Sequence, residues 1–192
     1  LKPMVDFVPP PPFALPPELP FTRQALDAAD ALFPYSQEHS LEQVTRLRAQ
    51  GFTPDETANI LSLVKARTRA LSKFGDRART MFLTEHGAQQ ATRPVVAAEH
   101  AAVFARAGVR SVADLGCGIG ADSLEFARAS LATVSVELDP LTASFAAANL
   151  ADFSGSRVVV GDVTNFNPES FRDGNGKVVQ GIWLDPARRD LT

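Results

Sequence analysis

Cysteine is almost missing from this sequence. A single thiol, Cys117, leaves no internal disulfide to form, which fits a reducing compartment. No apolar run approaches the roughly 18 residues that a membrane-spanning helix needs. The N-terminus lacks the charged-then-apolar order of a secretory signal. Excess charge is lacking too: 19 Lys and Arg stand against 22 Asp and Glu, a net charge of −3. The chain therefore has no global nucleic-acid footprint, and any such contact must use a local patch. Together these absences predict a soluble cytoplasmic protein with no membrane association. What is present is 192 residues, 45% of them hydrophobic, enough to bury a core in one or two domains.

The pattern along the chain predicts three regions: a proline-rich arm over 1–20, a helical region over 21–79 and an α/β domain over 80–192. The arm holds eight of the 14 prolines. It should be extended, because proline lacks the backbone donor that helix and sheet require. It reads either as a ligand for a proline-binding module or, as is commoner for such runs, as an arm that packs on its own domain or stays loose.

In the second region, Thr22 to Leu32 reads as a helix stopped before Pro34. Ser40-Leu41-Glu42-Gln43 reads as a capping box, followed at helical spacing by Val44 and Leu47. Thr53-Pro54-Asp55-Glu56 is a second start signal, with proline at the first helical position. That helix should run to about Phe74, with Ile60, Leu63, Val64, Ala70 and Leu71 inward and Gly75 at its end. Two helices joined by a Gly-containing turn suggest either a helix-turn-helix or a small bundle. The second helix lacks the Asn, Gln and Arg cluster that reads base edges, which favours the bundle. Lys65, Arg69 and Lys73 share a helix face, with Arg67, Arg77 and Arg79 nearby and Asp76 the one local opposing charge. They form either a solvated face or a phosphate-contacting patch for RNA.

After Gln89 the pattern alternates. An Ala-rich helix over Thr92 to Arg106 precedes strands at Ser111 to Leu115, Thr133 to Val136, Arg157 to Val160 and Val178 to Leu184, with helices at Ser123 to Ala129 and Thr142 to Leu150. Such alternation predicts a parallel, Rossmann-like sheet with helices on its faces.

The first strand runs into Asp114-Leu115-Gly116-Cys117-Gly118-Ile119-Gly120. Glycines there let the backbone turn sharply and let a ligand approach with no Cβ in the way. The N–H groups of the next helix start favour a negative group. The spacing is Gly-x-Gly-x-Gly, not the Gly-x-Gly-x-x-Gly of dinucleotide loops, and Asp114 precedes it. A carboxylate suits the ammonium of S-adenosylmethionine better than it suits a pyrophosphate. Glu137 ends the second strand, about 20 residues after the loop, where an acid accepts ribose hydroxyls. Asp162 ends the third strand, placed to accept from an adenine amino group, and Asp185 ends the fourth. Four acids thus sit at the carboxyl ends of successive strands, where open α/β sheets bind ligands. Cys117 reads as a small loop residue.

The glycine motif, Gln89-Gln90-Ala91-Thr92 and Asp185-Pro186-Ala187-Arg188-Arg189 together resemble bacterial class I S-adenosylmethionine-dependent methyltransferases that carry a THUMP-like domain. The resemblance spans roughly Lys73 to Thr192. It implies cofactor contacts at Asp114, Gly116, Gly118, Gly120, Glu137 and Asp162, with Thr92 lining the methionine end. The Asp185-Pro186-Ala187-Arg188 stretch is also similar to the Asp-Pro-Pro motif of nucleic-acid base methyltransferases. That similarity implies catalytic roles for Asp185 and Pro186, with Arg188 stacking on a base or holding a phosphate. Ala187 and Arg188 depart from the motif, and no cysteine follows it to serve as a nucleophile.

The resulting expectation is a methyltransferase acting on RNA or another nucleic-acid base. The alternatives are a dinucleotide-dependent oxidoreductase and a non-catalytic S-adenosylmethionine-binding module. The chain starts at Leu1 and stops just past the fourth strand, whereas a class I sheet usually has seven. The expectation is therefore a truncated domain with strand order 3-2-1-4, unable to methylate efficiently alone. Its fourth strand would be an apolar edge open to self-association.

Overall fold

The computed structural model describes residues 9–173 and 176–185. The chain forms two compact units: Leu19–Gln89, and Gln90 onward together with the segment up to Glu18.

The first unit is helical: α1 (Arg23–Leu32), α2 (Ser40–Ala49), α3 (Pro54–Phe74), a single 3-10 turn (Gly75–Arg79) and α4 (Glu85–Gln90). Thr22 caps α1 by accepting the Ala25 N–H at 3.1 Å. The box at the start of α3 forms in full: the Thr53 N–H donates to Glu56 Oε2 at 2.8 Å, and the Glu56 N–H donates to Thr53 Oγ1 at 3.2 Å. At its far end Gly75 takes φ +59°, and the helix stops there. Ile60, Leu63 and Val64 pack with Ala25, Ala29, Leu32, Leu47 and Phe52, each fully buried large side chain contributing about 1.5–3 kcal/mol. Leu71, expected inside, is half-buried.

The box expected at Ser40 does not form. Ser40 is the first residue of α2, and its cap is His39, at φ −100° and ψ 17° with no side-chain capping bond. The chain enters already turning, through a Ser40 N–H to Gln37 C=O bond. The extended cap conformation that a box needs is therefore absent. Gln43 is buried and Leu41 exposed, the reverse of their polarity.

The second unit is the parallel sheet, in the order β3-β2-β1-β4, the expected 3-2-1-4. Its strands are β1 (Ser111–Leu115), β2 (Ala132–Glu137), β3 (Ser156–Val160) and β4 (Gly181–Leu184), with helices α5 (Pro94–Arg106), α6 (Ala121–Arg128) and α7 (Pro140–Asn149). β1 is central and wholly buried. Its alternate residues serve two cores. Ala113 and Leu115 join Val134, Val136, Val159 and Phe171 on one face, and Val112 joins Ala101, Phe126 and Leu131 on the other.

The fourth strand is shorter than its apolar run. Val178 instead makes an antiparallel bridge with Arg172, and the ladder with β1 begins at Val112 opposite Gly181. A Cβ at Gly181 would lie 2.8 Å from Phe104 Cε1, so a side chain there would make that ring shift. Among the described residues β4 pairs with β1 alone. Its Trp183 ring is covered, 4.2 Å from His100 and edge-on to Phe104 and Phe126, while Ile182 and Leu184 are exposed. At the opposite edge the arm pairs with the sheet: Ala14 forms an antiparallel bridge with Val160 of β3. No helix among the described residues is long and apolar enough to cross a membrane.

Candidate functional site

The site is built at the carboxyl end of β1. Gly116, Gly118 and Gly120 all take positive φ, at +84°, +56° and +81°, a region that costs other residues roughly 1–2 kcal/mol. The Gly116 and Cys117 N–H groups both donate to Val136 C=O, at 2.8 and 3.0 Å. The loop is thereby laced to β2 before it turns into α6. A Cβ built on Gly118 would meet no protein atom within 4 Å, so the loop has an open side.

Glu137 faces this loop from the end of β2. Its Oε2 accepts the Gly118 N–H at 2.9 Å and its Oε1 accepts the Asp139 N–H at 3.0 Å. One residue past β3, the Gly161 N–H donates to Glu137 C=O at 2.9 Å. Asp162, which follows, accepts from the Thr164 N–H and hydroxyl, both at 2.8 Å. Asp185 arrives from β4, and its carbonyl oxygen lies 3.9 Å from where a Gly116 Cβ would be. Gly116, Gly118, Gly120, Glu137, Asp162 and Asp185 are thus gathered at one end of the sheet.

Asp114 is also here, but beneath the loop. It is 2% exposed and accepts a short hydrogen bond from Ser123 Oγ, which lies 2.7 Å from Ser135 Oγ. This line of three groups ties β1, α6 and β2 together. Burial raises the Asp114 pKa to about 7, against the hydrogen bonding from Ser123, with the negative charges of Asp122 and Asp185 adding to the rise. Burial likewise pushes the Cys117 thiol well above its usual range, helped by Asp114 and Glu137. Such a thiol is not a nucleophile near neutral pH.

Thr92 lies two residues before the start of α5. Pro186 and Arg188 lie outside the described residues. Lys65, Arg69 and Lys73 belong to the helical unit, and each is engaged within it. The Lys65 ammonium sits 4.8 Å from the Tyr35 ring centre, Arg69 pairs with Glu85, and Lys73 Nζ donates to Ala88 C=O and Gln89 C=O at 2.7 Å each. Arg67, expected beside them, is 3% exposed and donates to Asp30 and to Met81 C=O. Asp76 is therefore not the sole opposing acid. Asp30 lies 37 positions from Arg67 and Glu85 16 positions from Arg69, beyond the reach of local sequence pairing.

Sequence reasoning missed one pair. His100 Nδ1 of α5 lies 2.7 Å from Asp122 Oδ1 in the first turn of α6. Asp122 carries a signal, an acid at a helix start; His100, within an Ala-rich helix, carries none. Among the described residues no cluster of His, Cys, Asp and Glu could hold a metal ion.

The fold of this unit is shared with one solved structure described as a methyltransferase. A candidate methyltransferase from Porphyromonas gingivalis W83 superposes with a TM-score of 0.58 at 18% identity, over 76% of this chain and 37% of that one. A candidate RNA methyltransferase from Pyrococcus horikoshii matches at 30% identity over 43% of this chain and 42% of that one, with a TM-score of 0.38. Coclaurine N-methyltransferase, bound to N-methylheliamine and S-adenosylhomocysteine, matches at 16% identity over 75% and 49%, with a TM-score of 0.34. This chain spans less than half the length of each. No protein-family model matches it, and no curated protein matches it significantly.

Proposed function

We propose that this chain carries the S-adenosylmethionine site of a class I methyltransferase acting on RNA or another nucleic-acid base. The observation that carries the reading is the union of a three-glycine loop at positive φ with Glu137 bonded to its central N–H. Of the groups that bind at such loops, S-adenosylmethionine fits the residues present. The open side of Gly118 admits a ligand, and the N-terminus of α6 favours a carboxylate there. Glu137 keeps acceptor capacity for ribose hydroxyls beyond its two backbone bonds, and Asp162, just past β3, is the acid assigned here to the adenine amine.

Asp114 acts from beneath, as a buried acid bracing the loop floor through Ser123. When bound, the cofactor supplies an electrophilic methyl group on a sulfonium. The chain's part is positioning, an effect that contributes roughly 7–11 kcal/mol when geometry is held. Asp185, beside Gly116, would orient the acceptor or take its proton. The nucleic-acid assignment rests on the Asp185-Pro186-Ala187-Arg188 stretch.

A thermal-shift comparison tests this reading. S-adenosylhomocysteine should raise the melting temperature, and NAD should not. Stabilisation by NAD alone would favour the oxidoreductase.

A further inference from the structure

We propose that the proline-rich arm completes the nucleoside end of this site, with Phe13 as the positioning residue. The inference rests on the S-adenosylmethionine reading above. A turn closed by the Phe13 N–H on Pro10 C=O, at 3.0 Å, directs the Phe13 ring inward. The next residue locks the arm to β3: the Ala14 N–H donates to Val160 C=O at 2.9 Å and the Val160 N–H donates to Ala14 C=O at 2.8 Å. Phe13 is 7% exposed and lies edge-on to Phe171, 4.8 Å between ring centres.

Its decisive contact is with Gly161. A Cβ there would lie 2.2 Å from Phe13 Cδ1 and 2.6 Å from Cε1, so the ring rests on bare backbone. That piece of backbone joins the two acids read as nucleoside contacts. The Gly161 N–H holds Glu137 C=O, and Asp162 is the next residue. Glycine is the most freely moving residue in a chain, yet a recognition group must be held within roughly 0.5 Å of its working place. The Phe13 ring supplies that restraint from a segment some 150 positions earlier in the sequence.

A simpler role for the arm is to cover the open edge of β3. That role changes stability without changing which ligand is preferred, so preference separates the two. Calorimetric titrations of the whole chain would use S-adenosylhomocysteine and its inosine analogue, which has a carbonyl where adenine has its amine. The wild type should prefer the adenine compound. Phe13→Ala should weaken its binding roughly tenfold and erase most of the preference, in the range of one lost hydrogen bond to a charged group. Phe13→Leu should keep part of both. Gly161→Ala, which drives a methyl group into the ring, should reproduce the loss even if Phe13→Ala fails to fold. Adding Phe13→Ala to Gly161→Ala should then cost little more, because one contact is being removed twice.

Folded variants with wild-type affinity and preference would overturn the proposal. So would equal weakening of both ligands in step with thermal stability. A wild type that binds neither ligand would instead remove the underlying site, and this inference with it.

Discussion

Glu137 is held by the loop it faces: its Oε2 accepts the Gly118 N–H at 2.9 Å, while its Oε1 is held by the Asp139 N–H at 3.0 Å. The carboxylate is therefore fixed in the free chain, which in the proposed site would lower the ordering cost of binding. Gly118 contributes its N–H to Glu137 and, through its missing side chain, the open approach above the loop.

Gly118→Ala separates these contributions. At φ +56° with no protein atom near the new methyl group, the variant should lose roughly 1–2 kcal/mol of stability from backbone strain. Its affinity for S-adenosylhomocysteine should fall further, by roughly tenfold or more, because in the proposed site the methyl group would stand in the ligand's path. Chemical denaturation and calorimetry measure the two effects. An unchanged affinity would place the ligand elsewhere.

Asp114 makes stability depend on pH. Its pKa is raised to about 7 from the ordinary 3.8, so the folded state holds a proton that the unfolded state has released. This contribution is fully present below about pH 4 and is lost as pH rises toward about 7. The total is on the order of a few kcal/mol. Relative to Asp114→Asn, the wild type should therefore weaken across that window. Urea denaturation at pH 5 and pH 8 reads the difference, and parallel pH profiles would show that the carboxyl titrates normally.

Two aspartates of α1 should differ sharply in cost. Asp27 pairs with Arg23 where both are exposed, so Asp27→Ala should change stability by less than about 0.5 kcal/mol. Asp30 pairs with Arg67, whose side chain is 3% exposed, so Asp30→Ala leaves a buried guanidinium bonded to Met81 C=O but without its opposing charge. A cost of roughly 2–3 kcal/mol is expected, below the full range for buried pairs because Asp30 itself is exposed. Thermal or urea unfolding of the two variants checks the ranking, and equal costs would contradict it.

The strand-to-glycine-to-helix run was legible because its signals are local. Three glycines must take positive φ, and the strand-end acids follow from where β2, β3 and β4 stop. The sheet order followed from the fold rule for parallel strands. What escaped was long-range. The burial of Arg67 depends on Asp30, 37 positions away. The arm's seat on Gly161 depends on a bridge from Ala14 to Val160. The line from Asp114 through Ser123 to Ser135 joins β1, α6 and β2, which no local stretch of sequence displays. At Ser40 the local signal was present, but the turn leading into α2 prevented the cap conformation.

The most direct test of the central claim is calorimetric titration of S-adenosylhomocysteine into the wild type and Glu137→Ala. The account predicts saturable one-site binding to the wild type, and weakening in the variant by about 1.5–3 kcal/mol, the range for hydrogen bonds to a charged group. No binding to the wild type, or equal affinity in a folded Glu137→Ala protein, would contradict it.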